Sequence, residues 1–216
     1  MKRSPSRGGF TLIEMITVMA VIVILVSLVL SVNSYVQKKA AERRTKGEIA
    51  ALELAIKNYE ADNAAPPRDE ATTDVLDPRQ HGAPASGDGL KVYKAASQTL
   101  YMALSGDTKL DGKPTEKSYA PDFFKPERLK YNDPKKPDRM VEYVVDPFGN
   151  CYGYSTMGLK AEQEWRQLQR SPDAKKRDVP RLENQGFNST FDLWSTGGSN
   201  IEKPTDSDRV KWIKNW

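Results

Sequence analysis

From residue 10 to residue 32 the chain is almost uninterrupted in apolar side chains, and no other feature constrains its folding as strongly. A helix of about 21 residues, rising ~1.5 Å per residue, reaches ~30 Å, the hydrocarbon thickness of a bilayer. A short basic leader precedes the run, with Lys2, Arg3, Arg7 and the pair Gly8-Gly9. A cleaved secretory signal has an apolar core of only ~7–15 residues, with its small residues after the core. Here the core is longer and the small residues come first, so the run is expected to stay attached as a membrane helix. The rest of the chain is polar enough to bring the mean hydropathy to -0.66. Outside the run roughly one residue in three is apolar, which suffices for one modest core.

Several function classes fall away on composition. The chain has one cysteine and one histidine. An intramolecular disulfide framework, a Cys/His zinc site and a Cys-x-x-Cys redox centre are therefore excluded. The formal net charge of +4 owes three positives to Lys2, Arg3 and Arg7, so the basic balance is poor evidence for nucleic-acid binding, and none is expected. His81 is the only imidazole available as a base, and it sits in a Pro/Gly-rich loop. No Gly-rich phosphate loop and no nucleophile elbow is present, so the chain is expected not to be an enzyme.

Glu14 is the anomaly of the apolar run. A carboxylate about one turn inside a span is costly unless it is paired or reaches the interface. One reading is snorkelling to the headgroups, because the position lies near the end of the span. The other needs a cation at the same depth. Cleavage after Gly9 would create one, the new α-amino group of Phe10, able to neutralise Glu14 of the same or a neighbouring subunit.

The order of basic leader, Gly9-Phe10-Thr11-Leu12-Ile13-Glu14 and unbroken apolar helix resembles the class III signal of type IV pilins and type II secretion pseudopilins. The resemblance implies that a prepilin peptidase cuts between Gly9 and Phe10, that Phe10 becomes N-methylated, and that Glu14 serves subunit assembly. It also sets the orientation. Lys38, Lys39, Arg43, Arg44 and Lys46 lie past the span and outnumber the positives of the leader, so charge counting alone would not place the N-terminus in the cytoplasm.

No proline occurs between residues 10 and 65, and residues 40–59 are rich in good helix formers. One helix is expected from about Thr11 to Asp62, ~75–80 Å long at ~1.5 Å per residue, ended by Pro66-Pro67. Ile49, Leu52, Ile56 and Tyr59 recur at helical spacing and should pack on a sheet. The stretch Ala51-Leu52-Glu53-Leu54-Ala55-Ile56-Lys57-Asn58-Tyr59-Glu60-Ala61-Asp62-Asn63 is similar to the end of the long helix in the major, G-type pseudopilins. Many pilins carry a proline within the membrane helix, near the place where Ser31 stands here.

Residues 64–139 read as a variable region with a helix over about 89–104, whose Leu90, Val92, Tyr93, Ala96, Leu100, Tyr101 and Leu104 share a side. The run Asp107-x-Lys109-x-Asp111-Gly112 lacks the EF-hand pattern and reads as a solvated turn. From residue 140, Val141, Tyr143 and Val145 alternate with Glu142, Val144 and Asp146. Asp146-Pro147-Phe148-Gly149-Asn150 turns, and Cys151-Tyr152-Gly153-Tyr154 returns, which predicts a hairpin. Cys151 reads as a small core residue. Residues 158–186 form a charged insertion with a short helix around 161–169.

Asp146-Pro147-Phe148-Gly149-Asn150-x-Tyr152 resembles the Asp-Pro-Trp-Gly-Asn-Pro-Tyr signature of G-type pseudopilins. Phe191-Asp192-Leu193-Trp194-Ser195-x-Gly197 resembles a strand and loop of that group, and Asp206-Ser-Asp208-x-x-x-Trp212 its final Asp-rich turn and tryptophan. In those relatives the loop binds calcium, which implies Asp192 as a Ca2+ ligand; Ser199 and Asn200 stand where a second aspartate is expected. Asn188-Ser189-Thr190 also fits the short N-glycosylation pattern.

The expected fold is α+β and type IV pilin-like: a long N-terminal helix, its first half transmembrane, packed on an antiparallel sheet of three to four strands. The organisation expected is a cleaved leader (1–9), a membrane half-helix (10–32), an amphipathic half-helix (33–63), a variable region (64–139) and a C-terminal sheet region (140–216) with the insertion 158–186. The resemblance implies a structural subunit of a type II secretion pseudopilus. Its partners would be further copies of itself, prepilin peptidase, other pseudopilins and the inner-membrane assembly platform. It would be a single-pass inner-membrane protein with a periplasmic C-terminal domain, later part of a periplasmic filament. The alternative is a type IV pilin or minor pseudopilin, whose usual C-terminal disulfide loop one cysteine cannot form.

Overall fold

The computed structural model describes residues 11–81, 88–136, 139–173, 175, 185–199 and 206–216; the side chains of 29–33, 80–81, 88–89, 206 and 208 lie outside that description. The chain divides into two compact units, Met1–Ala41 and Glu42–Trp216.

Helix α1 runs Leu12–Asn63, as the proline-free stretch predicts. Ala64 stops it by adopting a left-handed conformation, φ 61°, and Pro66-Pro67 cannot continue it. The side-chain amide of Asn63 donates to the Tyr59 carbonyl at 2.9 Å, answering one of the carbonyls the helix end leaves open.

Within Glu42–Trp216 the expected stripe of α1 is the inner face. Ile49, Leu52, Ala55 and Ile56 are buried, and Tyr59 packs at their edge. Full burial of each large aliphatic contributes roughly 1.5–3 kcal/mol. Thr45 and Glu48 lie on the same stripe and are also buried, which apolar periodicity does not reveal. Glu48 is paired on all sides. One oxygen accepts from Arg44 and from Arg128, each at 2.8 Å, and the other accepts the Tyr152 hydroxyl at 2.6 Å.

Among the described residues follow α2 (Pro78–His81), α3 (Asp88–Ser105), α4 (Met157–Gln169) and α5 (Asp206–Arg209). α3 covers the expected span with one residue added at each end. Its Tyr93, Ala96, Leu100, Tyr101 and Leu104 are buried, while Leu90 and Val92 are half-buried. α4 extends the short helix expected in the insertion back to Met157.

The strands are β1 (Leu129–Tyr131), β2 (Val141–Val144), β3 (Gly153–Ser155), β4 (Asp192–Ser195) and β5 (Ile213–Lys214). Among the described residues they form two antiparallel sheets, β1-β2 and β3-β4-β5, where a single sheet of three to four strands is expected. The predicted hairpin is correspondingly slight. Its arms join through the single bridge Val145–Cys151, while β2 pairs with β1 and β3 pairs with β4. β1 comes from the variable region, where no strand is legible.

The alternation read into β2 is also corrected. Val141 and Val144 are buried, while Tyr143 and Val145 are half-buried. The register shifts between Lys130 and Tyr131, and α3 covers the strand: Gln98 donates to the Val141 carbonyl at 2.6 Å and Lys94 pairs with Glu142 at 2.8 Å. A strand covered in this way does not sort its residues by a period of two. The turn after α3 is not solvated at its centre. Asp107 is buried and accepts from the Tyr101 hydroxyl and the Gly112 N–H, both at 2.7 Å.

Trp194 centres a second cluster, edge-on to Tyr93 (centroids 5.8 Å) and stacked with Trp212 (6.2 Å). Cys151 lies buried in this cluster, where desolvation holds its thiol well above the usual range, as suits a core residue. Opposite Trp194 in the ladder is Gly153, where an added Cβ would fall 2.0 Å from the indole Cε2. Gly153→Ala should therefore lower the stability of the detergent-solubilised full-length protein by roughly 1–3 kcal/mol. Gly47, inside α1 with nothing within 4 Å of an added Cβ, gives the opposite sign: Gly47→Ala should raise stability by about 0.5–1 kcal/mol. Thermal unfolding of both variants checks the pair, and an unchanged midpoint for Gly153→Ala would mean that Trp194 is not seated on that strand.

Candidate functional site

Gly9 and Phe10 lie outside the described residues. The described chain opens on Thr11, and the first turn of α1 is closed by Thr11 and Glu14 in both directions. Glu14 Oε2 accepts the Thr11 main-chain N–H at 2.7 Å and its hydroxyl at 2.8 Å, while Thr11 Oγ1 accepts the Glu14 N–H at 3.3 Å. This is a capping box, in which a Thr and a Glu three residues on satisfy each other's orphan donors. The spacing Thr-x-x-Glu was legible in the sequence as a helix start, a signal masked by reading Glu14 only as a misplaced charge.

The other described polar side chains of the apolar run are answered inside the helix. Thr17 Oγ1 donates to the Ile13 carbonyl at 2.6 Å, and Ser27 Oγ reaches the Val23 and Ile24 carbonyls at 3.0 and 2.8 Å. Around them the surface is apolar and outward: Leu12 is 78% exposed, and Met19 and Val23 are also exposed. Glu14 is thus the one charged group in the described run 12–28, held by its own Thr11 and set among exposed apolar side chains.

Among the described residues no helix is long and apolar enough to cross a membrane. The described side chains of the run end at 28 and resume at 34, and residues 12–28 span about 25 Å at ~1.5 Å per residue. The wider run 10–32 seen in the sequence includes residues outside the description.

Asp192 opens β4 and is fully buried. Its Oδ2 accepts the Phe187 N–H at 2.8 Å and its Oδ1 the Asn188 N–H at 2.9 Å. Burial pushes its carboxyl above the usual range, and those two main-chain donors oppose the shift. Ser199, at the place of the expected second ligand, presents its carbonyl to the Asn150 amide and the Thr196 hydroxyl, each at 3.2 Å. The described residues do not fit a calcium cage: a hard cation needs several free oxygens turned to one point, and these are turned to N–H and O–H donors. No group of three or more acidic, histidine or cysteine side chains that would hold a metal occurs among the described residues. Asn200 and the side chains of Asp206 and Asp208 lie outside them.

The remaining candidates are placed as follows. His81 ends α2, and its side chain lies outside the description. The Asn188 side chain is engaged with the Phe191 carbonyl at 3.1 Å and Asn215 Oδ1 at 3.3 Å, so the amide of the short glycosylation pattern works as a local tie.

Comparison with known proteins adds one match. The prokaryotic N-terminal methylation motif matches residues 4–30, the stretch that holds Gly9, Phe10 and Glu14. No curated protein and no solved structure matches the chain. The long N-terminal helix and small antiparallel sheets are consistent with a pilin-like fold. The methylation motif, of the prepilin type, supports a type IV pilin-like protein processed by a prepilin peptidase.

Proposed function

We propose that the protein is the major, G-type pseudopilin of a type II secretion system, a structural subunit that polymerises through α1 and helps drive protein export across the outer membrane. The observation that carries the filament reading is the methylation motif over residues 4–30, with Glu14 as the one charge one turn into the apolar helix. Support for the finer assignment is the resemblance of residues 51–63, 146–152 and 191–197 to that group. In this reading the subunit waits in the inner membrane as a single-pass protein, with Glu42–Trp216 in the periplasm. It has no catalytic residues; its chemistry is that of binding.

Cutting between Gly9 and Phe10 places a methylated, cationic amine beside the capping box. Thr11 holds Glu14 Oε2 from one side, which orients the carboxylate at the helix start while the subunit is alone. In an apolar bundle the attraction between that amine and a neighbour's Glu14 is little screened, and removing one partner leaves the other charge unpaired. Each interface of a helical filament repeats the contact, so a modest loss per subunit suppresses growth.

Intact mass and N-terminal sequencing of the protein from its native membrane should find residues 1–9 missing and one methyl group on the Phe10 nitrogen, and Gly9→Arg should block the cut. A native chain beginning at Met1, or cut after the apolar run, would overturn the assignment.

Glu14→Ala and Glu14→Gln should both insert and be processed yet form no filaments. The glutamine variant is the sharper test, because its amide oxygen preserves the capping bonds while the charge is gone; wild-type filament yield from it would reduce Glu14 to a helix cap. Protease added to spheroplasts should digest Glu42–Trp216, and full protection would reverse the topology.

A further inference from the structure

Two loops that lie far apart in the chain, 146–150 and 195–199, are closed on each other without any charge pair. Asp146, 4% exposed, accepts the Phe148 and Asn150 N–H groups on Oδ1, both at 2.9 Å, and the Ser195 hydroxyl on Oδ2 at 2.5 Å. Asn150 sends its side-chain amide to Thr196 Oγ1 at 3.0 Å and to the Ser199 carbonyl at 3.2 Å. Thr196 Oγ1 adds a donor to the same carbonyl, and the Ser199 N–H returns to the Thr196 carbonyl at 3.1 Å. Ser195 and Thr196 are fully buried and Ser199 is 9% exposed, so these bonds form away from water. Gly197 and Gly198, at φ 62° and 83°, let the second loop reverse over Phe148; an added Cβ on Gly198 would sit 3.0 Å from the Phe148 ring.

A calcium ion closing such a loop would gather carboxylate and carbonyl oxygens and leave no donors among them. Here the opposite has been built. The Ser199 carbonyl, both Asp146 oxygens and both Asp192 oxygens each already hold one or two hydrogens. We propose that the Asn150 amide and the Ser195 and Thr196 hydroxyls form a neutral latch that does the work of a cation, so that the C-terminal loop closes and the unit stays folded without calcium. The inference rests on the geometry of Glu42–Trp216 alone and is independent of which filament the chain builds: its failure would leave leader processing and the role of Glu14 untouched.

The test is thermal unfolding of the processed, detergent-solubilised full-length protein in excess CaCl2 and in excess EDTA, with limited proteolysis at the 195–199 loop as a local readout. The wild type should melt at the same temperature in both and be cut at the same rate. Asn150→Ala removes two donors at once. It should lower the midpoint by roughly 4–8 °C in both buffers and speed cleavage at the loop. Ser195→Ala, milder and nearly isosteric, should shift both readouts in the same direction and serves if Asn150→Ala does not accumulate. A wild-type midpoint that falls in EDTA and returns with calcium would overturn the proposal. So would an unchanged midpoint and cleavage rate in both variants, since the bonds would then not be what closes the loop.

Discussion

A single buried carboxylate holds the globular unit together. Glu48 lies on the inner face of α1, and a charge so placed is tolerable only if it is paired and its oxygens are hydrogen-bonded. Arg128, which closes the 3-10 turn Pro126–Arg128 leading into β1, supplies one partner, and Tyr152, one residue before β3, supplies another. Burial and the adjacent Glu48 push the Tyr152 phenol far above its ordinary range, so it remains a donor. One side chain thus ties the helix to the start of both sheets and sets the rotation of α1. That rotation is what directs Ile49, Leu52 and Ile56 at the strands.

The same economy recurs where the chain is short of apolar residues. Short polar side chains act as anchors for loops that carry little hydrophobic surface. Thr156, fully buried ahead of α4, donates to Asp74 at 2.6 Å, and Asp74 is paired with Arg68 at 2.7 Å, which fastens the segment after α1 to the insertion. Asp107 closes the turn after α3, Asp192 the turn before β4, and Asp146 the turn that joins the two sheets. Each gathers main-chain N–H groups of its turn on a carboxylate that is itself buried.

The N-terminal unit follows the reverse logic. Along its described run 12–28 the side chains face outward and are mostly apolar, and the polar groups turn back onto their own helix. Thr17 and Ser27 bond to carbonyls one turn earlier, and Glu14 is answered by Thr11. An apolar helical surface whose described polar groups are met within the helix is suited to a lipid or to other apolar helices.

How much of this could be read from the residues alone follows from the range of the interactions. The helix to Asn63 with its stop at Ala64–Pro67, the stripe that faces the sheets, and helices α3 and α4 depend on neighbours within a turn or two, so periodicity and proline placement reveal them. The capping box is equally local and was there to be seen at Thr11 and Glu14. Strand partners are another matter. β2 sits beside β1 because Glu48 draws Arg128 to α1 and because α3 covers β2, and no pattern in residues 129–131 announces that. The burial of Glu48, Asp107, Asp146 and Asp192 is hidden for the same reason: a carboxylate enters a core only when distant donors converge on it, and convergence is a property of the folded chain. The loop 195–199 resembles in its sequence a loop that binds a cation in other proteins. Its oxygens are nevertheless occupied by donors, above all Asn150, brought from a turn 49 residues from Ser199.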